Sequence, residues 1–311
     1  MSKTLIFGHQ NPDTDAITSA ISFSYLQNEL GNKTEAVAFG KPTEETQYAL
    51  DYFETEAPRT VTSVSSETDQ VMLVDHNEAQ QSAPDIDKVS VLAVVDHHRI
   101  ANFATTDPLY YRAEPVGCTQ TIIWKMFKEN NIDIPKHIAG LMLSAIISDT
   151  LLLQSPTSTE EDEKAARALA ELSEVDLDSY GKDLLKAGTN TKNKTASQIL
   201  NDDAKNFPMG ESTVRIGQVN VVDVDEVLAR KLELLKEMEE QSLASNYDLF
   251  ILVITNVLEN DSVALVQGDK KELVKQTFDK DIVEDTVLLD GVVSRKKQVV
   301  PPLTKTFENE A

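Results

Sequence analysis

The chain is poor in the features that mark several large protein classes. It has one cysteine, Cys118, so no disulfide forms within it, and a reducing compartment is the expected setting. No apolar run reaches the roughly 18 residues of a membrane-crossing helix. The N-terminus has no basic segment leading into an apolar signal core. Basic residues are scarce: 29 Lys plus Arg against 52 Asp plus Glu give a formal net charge of −23. That balance argues against nucleic acid or an anionic membrane as partner. An anionic ligand would bind only where metal ions and a few cationic side chains reverse the potential locally. These shortages predict a cytoplasmic protein. Repeats and low-complexity tracts are also absent, and 311 residues with 41% hydrophobic content are enough for two ordinary cores.

Histidine is scarce too, and its distribution is informative. Of five histidines, four fall in three short clusters, each at the end of an apolar run; His137 is the exception. Leu92-Ala-Val-Val95 breaks directly into Asp96-His97-His98-Arg99. Leu5-Ile-Phe-Gly8 runs into His9, Asp13 and Asp15, and Val71-Met-Leu-Val74 into Asp75-His76-Asn77-Glu78. A helix-like segment, Leu141–Ile147, ends in Ser148-Asp149-Thr150. Apolar runs without polar alternation suit strands buried on both faces of a parallel sheet, where ligands bind beyond the carboxyl ends of the strands. A lone Asp at such a place is usually a turn or cap residue, and a lone His a structural hydrogen-bonder. Their joint occurrence at four run ends favours a metal or phosphate site.

Strands over residues 3–7, 35–40, 71–74 and 91–95 alternate with helices over 16–30 and 43–54. This predicts an α/β fold, a doubly wound, mainly parallel sheet. Gly117, ahead of a helix running through Phe127, offers backbone N–H groups to an anion, although a plain turn satisfies the same residues. Further helices are expected over 136–147, 159–172 and 178–186. Residues 188–195 are polar throughout, so the domains are drawn as 1–188, a linker over 189–195, and a smaller mixed α/β domain over 196–311. In that second domain, 214–222, 249–255 and 262–266 read as strands and 224–243 as one helix. Pro301-Pro302 reads as a loose tail.

Imidazoles mixed with carboxylates suit Mn²⁺, Zn²⁺ or Co²⁺ better than Mg²⁺ alone, which prefers oxygen. The motifs His9-x-x-x-Asp13-x-Asp15, Asp75-His76-Asn77-Glu78, Asp96-His97-His98, Ser148-Asp149-Thr150 and Ser294-Arg295-Lys296-Lys297-Gln298 span almost the whole chain. In this order the sequence resembles the family II, manganese-dependent inorganic pyrophosphatases of the DHH phosphoesterase superfamily. The resemblance implies hydrolysis of pyrophosphate to two orthophosphates by a hydroxide bridging two divalent metals in an interdomain cleft. It implies two Mn²⁺ per subunit, with Co²⁺ as a substitute and Mg²⁺ arriving on the substrate. His9 and Asp13 would hold one ion, Asp15, His97 and Asp149 the other, and Asp75 would bridge them. Asp96 and His76 would orient ligands. His98, Lys205, Arg295 and Lys296 would be the catalytic and substrate-binding groups, and the protein a homodimer joined through the first domain's sheet.

Two rivals stand beside this reading. One is a DHH phosphoesterase acting on short oligonucleotides or cyclic dinucleotides, whose Gly-Gly-Gly-His element the sequence lacks. The other is a non-enzymatic metal or phosphate sensor, which would need an output module that this length leaves no room for. The short interval between the Asp75 and Asp96 motifs also leaves no room for a nucleotide-binding regulatory insertion.

Overall fold

A computed structural model describes residues 3–310. The chain divides into two compact units, Met1–Gly188 and Thr189–Ala311.

The first unit opens with strand β1 (Thr4–Phe7), helix α1 (Thr14–Glu29), β2 (Thr34–Ala38) and α2 (Glu44–Tyr52). Then come β3 (Arg59–Thr60), β4 (Gln70–Val74), β5 (Ser90–Asp96) and β6 (Tyr110–Ala113). Four helices close it: α3 (Thr119–Glu129), α4 (Lys136–Thr150), α5 (Glu160–Ser173) and α6 (Leu177–Gly188). The six strands form one sheet in the order β3-β2-β1-β4-β5-β6, and every ladder in it is parallel. Side chains alternate across the sheet, so Leu5 and Phe7 of β1 join Leu73 and Val94 in a core on one face while Ile6 is buried on the other. The strand order turns back between β1 and β4, which places a topological switch point beyond their carboxyl ends. His9 and Asp75 follow those two strands directly.

The second unit contains α7 (Ala196–Asn201), β7 (Ala204–Met209), β8 (Ser212–Val221), α8 (Val224–Leu228) and α9 (Lys231–Ser245). It continues with β9 (Leu249–Asn256), β10 (Asp261–Gly268), α10 (Lys271–Phe278), β11 (Thr286–Leu289) and α11 (Val300–Glu310). Its five-stranded sheet, β11-β10-β9-β8-β7, is mixed, with β8 and β9 parallel and the remaining pairs antiparallel. Every residue of β9 is buried. Leu249, Ile251 and Val253 enter one core and Phe250, Leu252 and Ile254 the other, as the two-residue period requires.

The structure corrects the expected elements in several places. The single helix expected over 224–243 is two, α8 and α9, separated at Ala229 and Arg230. Arg230 explains the break: its guanidinium Nη1 donates to the carbonyls of Thr191 and Lys194 at 3.0 and 2.8 Å, tying the polar 189–195 stretch to this unit. Pro301-Pro302 is no loose tail but lies near the start of α11, where the fixed φ of proline already suits a helix. Lys205 lies exposed on strand β7, in keeping with a residue on a solvated face.

Candidate metal centre

The strand ends place the first ligand candidates. His9 lies just past β1, and the turn that carries it is tight: a Cβ on Gly8 would stand 2.5 Å from that of Ala16 in α1. His9 Nδ1 faces the Gln10 carbonyl at 2.9 Å. Its Nε2 is 3.5 Å from Asp13 Oδ2 and 3.5 Å from Asp75 Oδ2. Asp13 caps α1 through Oδ1, which accepts from the Ala16 N–H at 3.0 Å, so one carboxylate both caps the helix and faces the site.

Asp75 is buried, and its backbone is left-handed, with φ 58°, a conformation aspartate tolerates better than most residues. Its Oδ1 is 3.4 Å from His97 Nε2, so the carboxylate stands between two imidazoles. His97 repeats the arrangement at His9: Nδ1 faces the Val116 carbonyl at 3.1 Å, and Nε2 points inward, 4.0 Å from Asp149 Oδ2. A carbonyl opposite each Nδ1 fixes the tautomer that leaves Nε2 free to ligate.

Three groups of candidate ligand atoms result, each lying within 4.8 Å: His9, Asp13 and Asp75; Asp15, His97 and Asp149; and Asp75, His97 and His98. All six residues expected as ligands lie in the first two. His98 joins the third, but its Nδ1 is engaged by Asp96 Oδ1 at 2.9 Å and is 3.7 Å from Asp75. His76 is turned away, held by the Val74 carbonyl and Ser82 Oγ at 2.9 and 3.0 Å. Instead Asn77 supports the strand end, donating to Asp96 Oδ2 at 2.6 Å and to the Arg99 carbonyl at 2.9 Å.

Thr119 is the contributor that sequence reasoning missed. Its N–H at the start of α3 donates to Asp15 Oδ2 at 2.7 Å and its hydroxyl to Asp75 Oδ1 at 3.1 Å. The loop before it does not cradle an anion, because the Gly117 N–H is taken by the buried Asp162 at 2.8 Å. Asp162 also accepts from the Thr121 hydroxyl at 2.6 Å, and so braces the segment that holds His97 and Thr119. These bonds join segments far apart in the chain.

Without a cation, the centre gathers protons. Burial and the Asp75 charge push Asp15 up to about 7. Burial, with Asp15 and Asp75 close by, raises Asp149 well above the carboxylate range. Burial disfavours the imidazolium of His9, but Asp13 and Asp75 more than offset it and lift its pKa to about 11. His97 rises to about 9 against the same burial, through Asp75 and Asp15. Burial also opposes the ionised form of Asp75, and the two histidines overcome it and pull its pKa down. Buried carboxylates that can lose their charge only by protonation, with inward-facing Nε2 atoms, form a donor set that fits a divalent, nitrogen-accepting metal. The depression in front of them has a volume of about 450 Å³ and is bordered by Asp13, His98, Arg99 and Thr157.

The cationic residues expected at the substrate lie in the second unit. Lys205 and Lys296 are exposed, and neither has an ion pair among the described residues. Arg295 is buried: its fork grips Asp203, with Nη2 2.8 Å from Oδ1 and Nη1 bonded to the Asp203 carbonyl. Arg295 to Val299 form a single π-helical turn, a device common at functional sites. Gln218 Oε1 accepts from the Arg295 N–H at 3.1 Å, and Gln298 Oε1 accepts from the Val293 and Ser294 N–H groups, which together pin the turn.

Comparison with known proteins agrees with this architecture. Residues 3–146 match the DHH family N-terminal domain and residues 182–306 the DHHA2 domain. A relative from Enterococcus faecalis, named a probable manganese-dependent inorganic pyrophosphatase, is 64% identical over 99% of this chain and 100% of its own. One of the same name from Lactiplantibacillus plantarum is 54% identical over 99% of each chain. Among solved structures, a Methanococcus jannaschii protein assigned to family II of the inorganic pyrophosphatases superposes with a TM-score of 0.62. It is 37% identical, over 97% of this chain and 99% of that one. With a parallel sheet that gathers the DHH motifs at its switch point and near-full-length relatives at these identities, the chain belongs to the manganese-dependent, family II inorganic pyrophosphatases.

Proposed function

We propose that the protein hydrolyses inorganic pyrophosphate to two orthophosphates, with manganese held by His9, Asp13, Asp15, Asp75, His97 and Asp149. The observation that carries this is Asp75, a buried carboxylate with one oxygen facing His9 Nε2 and the other His97 Nε2, the arrangement a carboxylate shared by two cations needs. Asp75 belongs to the group of His9 and Asp13 and also faces His97 of the group with Asp15 and Asp149, which supports two ions per chain, and Co²⁺ suits the same donors. Mg²⁺, which keeps its waters and favours phosphate oxygens, enters with the substrate. When bound, the metals neutralise phosphoryl charge and make water a stronger nucleophile at neutral pH.

The chain's own residues do the rest by positioning. Asp96 holds the His98 imidazole at the rim, where it meets the substrate. Lys205 and Lys296 supply point charges for phosphoryl oxygens, and Arg295 a planar fork once it exchanges Asp203 for substrate. Because ligands and cations come from different units, catalysis requires both. The protein is read as cytoplasmic, a reading supported by its single, buried cysteine, and as homodimeric; among the described residues no helix is long and apolar enough to cross a membrane.

The test is phosphate release from pyrophosphate, ATP and a dinucleotide with Mn²⁺ after exhaustive chelation. Pyrophosphate should be strongly preferred. Comparable release from the dinucleotide would favour the phosphoesterase reading.

A further inference from the structure

Glu45 is assigned no part in the function described so far, yet it touches both helix ends that carry ligand aspartates. Its Oε1 accepts the Thr14 hydroxyl at 2.7 Å and the Ser148 hydroxyl at 2.5 Å. Thr14 sits between Asp13 and Asp15 at the start of α1, and Ser148 precedes Asp149 in the last turn of α4. We propose that Glu45 is a positioning residue for the metal centre, clamping Thr14 and Ser148 to hold Asp13 and Asp15 in register with Asp149.

Several features favour this over an ordinary acidic residue in a helix first turn. The neighbouring Glu44 already serves the α2 dipole from an exposed position, with no partner among the described residues. Serine in a helix commonly bonds back to the carbonyl four residues earlier, as Ser144 does to Gly140 and Ser173 to Leu169. Ser148 instead donates outward to Glu45. Helices α1 and α4 pack side by side but share no backbone ladder, so their register depends on side-chain contacts of this kind. The second carboxylate oxygen is confined as well. A Cβ on Gly188, the last residue of α6, would stand 2.6 Å from Glu45 Oε2 and 3.0 Å from Glu45 Cβ, so bare backbone roofs the carboxylate there. The clamp is therefore closed on both sides.

The inference rests on Asp13, Asp15 and Asp149 being metal ligands, so Asp149→Asn accompanies the test. Metal-free full-length protein is titrated with Mn²⁺ while free Mn²⁺ is followed by electron paramagnetic resonance, and Tm is recorded without metal. Glu45→Ala should weaken Mn²⁺ binding about tenfold or more, the low end for loss of a residue that orients ligands. Glu45→Gln keeps an acceptor oxygen and should recover most of that loss. Thr14→Val and Ser148→Ala should each weaken binding less than Glu45→Ala, and neither should add to it, because residues of one network are not independent. Wild-type Mn²⁺ affinity in Glu45→Ala with only Tm lowered would overturn the inference, as would full additivity with Thr14→Val. Should Glu45→Ala not fold, unchanged affinity in the Thr14→Val, Ser148→Ala double variant overturns it equally. Unchanged affinity in Asp149→Asn would instead bring down the ligand assignment, and this inference with it.

Discussion

His98 Nδ1 and Asp96 Oδ1 are 2.9 Å apart, and the same carboxylate oxygen accepts the His98 backbone N–H at 3.1 Å. His98 is thus anchored from behind by a buried acid, whereas its neighbour His97 is anchored by a carbonyl and faces the carboxylates. Both rings lie past the end of β5 with centroids 4.2 Å apart, so what separates their roles is the anchor: Asp96 engages His98 Nδ1, whereas the Val116 carbonyl at His97 Nδ1 leaves Nε2 facing Asp75 and Asp149. His97→Gln should lower Mn²⁺ affinity on the order of 10- to 100-fold or more. His98→Gln should keep the metal while kcat falls. Equal Mn²⁺ affinities in the two variants, measured by calorimetry, would contradict the division.

Metal and protons compete for the centre. His9 and His97, raised to about 11 and about 9, are imidazolium at neutral pH in the metal-free protein, and Asp15, at about 7, is partly protonated. Ligation needs neutral imidazole and ionised carboxylate. Falling pH therefore fills the ligands with protons and weakens binding, and rising pH tightens it, with the gain continuing above neutrality towards the histidine values. Titration calorimetry in two buffers of different ionisation enthalpy at neutral pH should show net proton release on Mn²⁺ binding. Zero release would mean that the imidazoles are not ligands.

A fragment ending at Gly188 keeps every ladder of the six-stranded sheet and all six ligand candidates. It should bind Mn²⁺ and hydrolyse almost no pyrophosphate. In the full chain, Ile251→Ala in the buried strand β9 should destabilise the second unit by about 2–5 kcal/mol, read in denaturant, without changing Mn²⁺ affinity. Substantial hydrolysis by the fragment would reduce the carboxy-terminal basic cluster to a surface patch.

Arg295→Lys preserves charge but loses the fork. Pyrophosphate turnover should fall along with affinity if two phosphoryl oxygens are held in one plane in the transition state. Because Asp203 Oδ1 occupies one arm of that fork, Asp203→Ala should free Nη2, while Nη1 keeps its backbone carbonyls, and lower KM. Wild-type kinetics in Arg295→Lys would remove Arg295 from the substrate contacts and leave it a structural role through Asp203 and the Ile216 carbonyl.

The sequence was legible where a single segment decides the outcome. Apolar runs without alternation predict β1, β4 and β5, and the polar residues that end them predict the ligand cluster. Elements decided by partners were not legible. Strand β6 is mostly half-exposed and has no apolar run, and β3 has two residues, so both exist because a neighbouring strand offers a ladder. The Thr119 and Asp162 bonds join residues far apart in the chain, and no local pattern announces a backbone N–H aimed at Asp15. The burial of Arg295 was hidden too, since its partner Asp203 reads as one more solvated acid.

The parallel sheet also sets the order in which the molecule can be built. Leu5 pairs with Val71, and the ladder of β4 with β5 must wait for the chain through Ser90, so each ligand-bearing strand end is fixed only after a long loop has closed. Non-local pairing of this kind is the slow part of folding. The six ligand candidates therefore converge late, and cations that share them arrive at a nearly finished protein. Manganese should act as a lock on the native state, slowing unfolding far more than it speeds refolding.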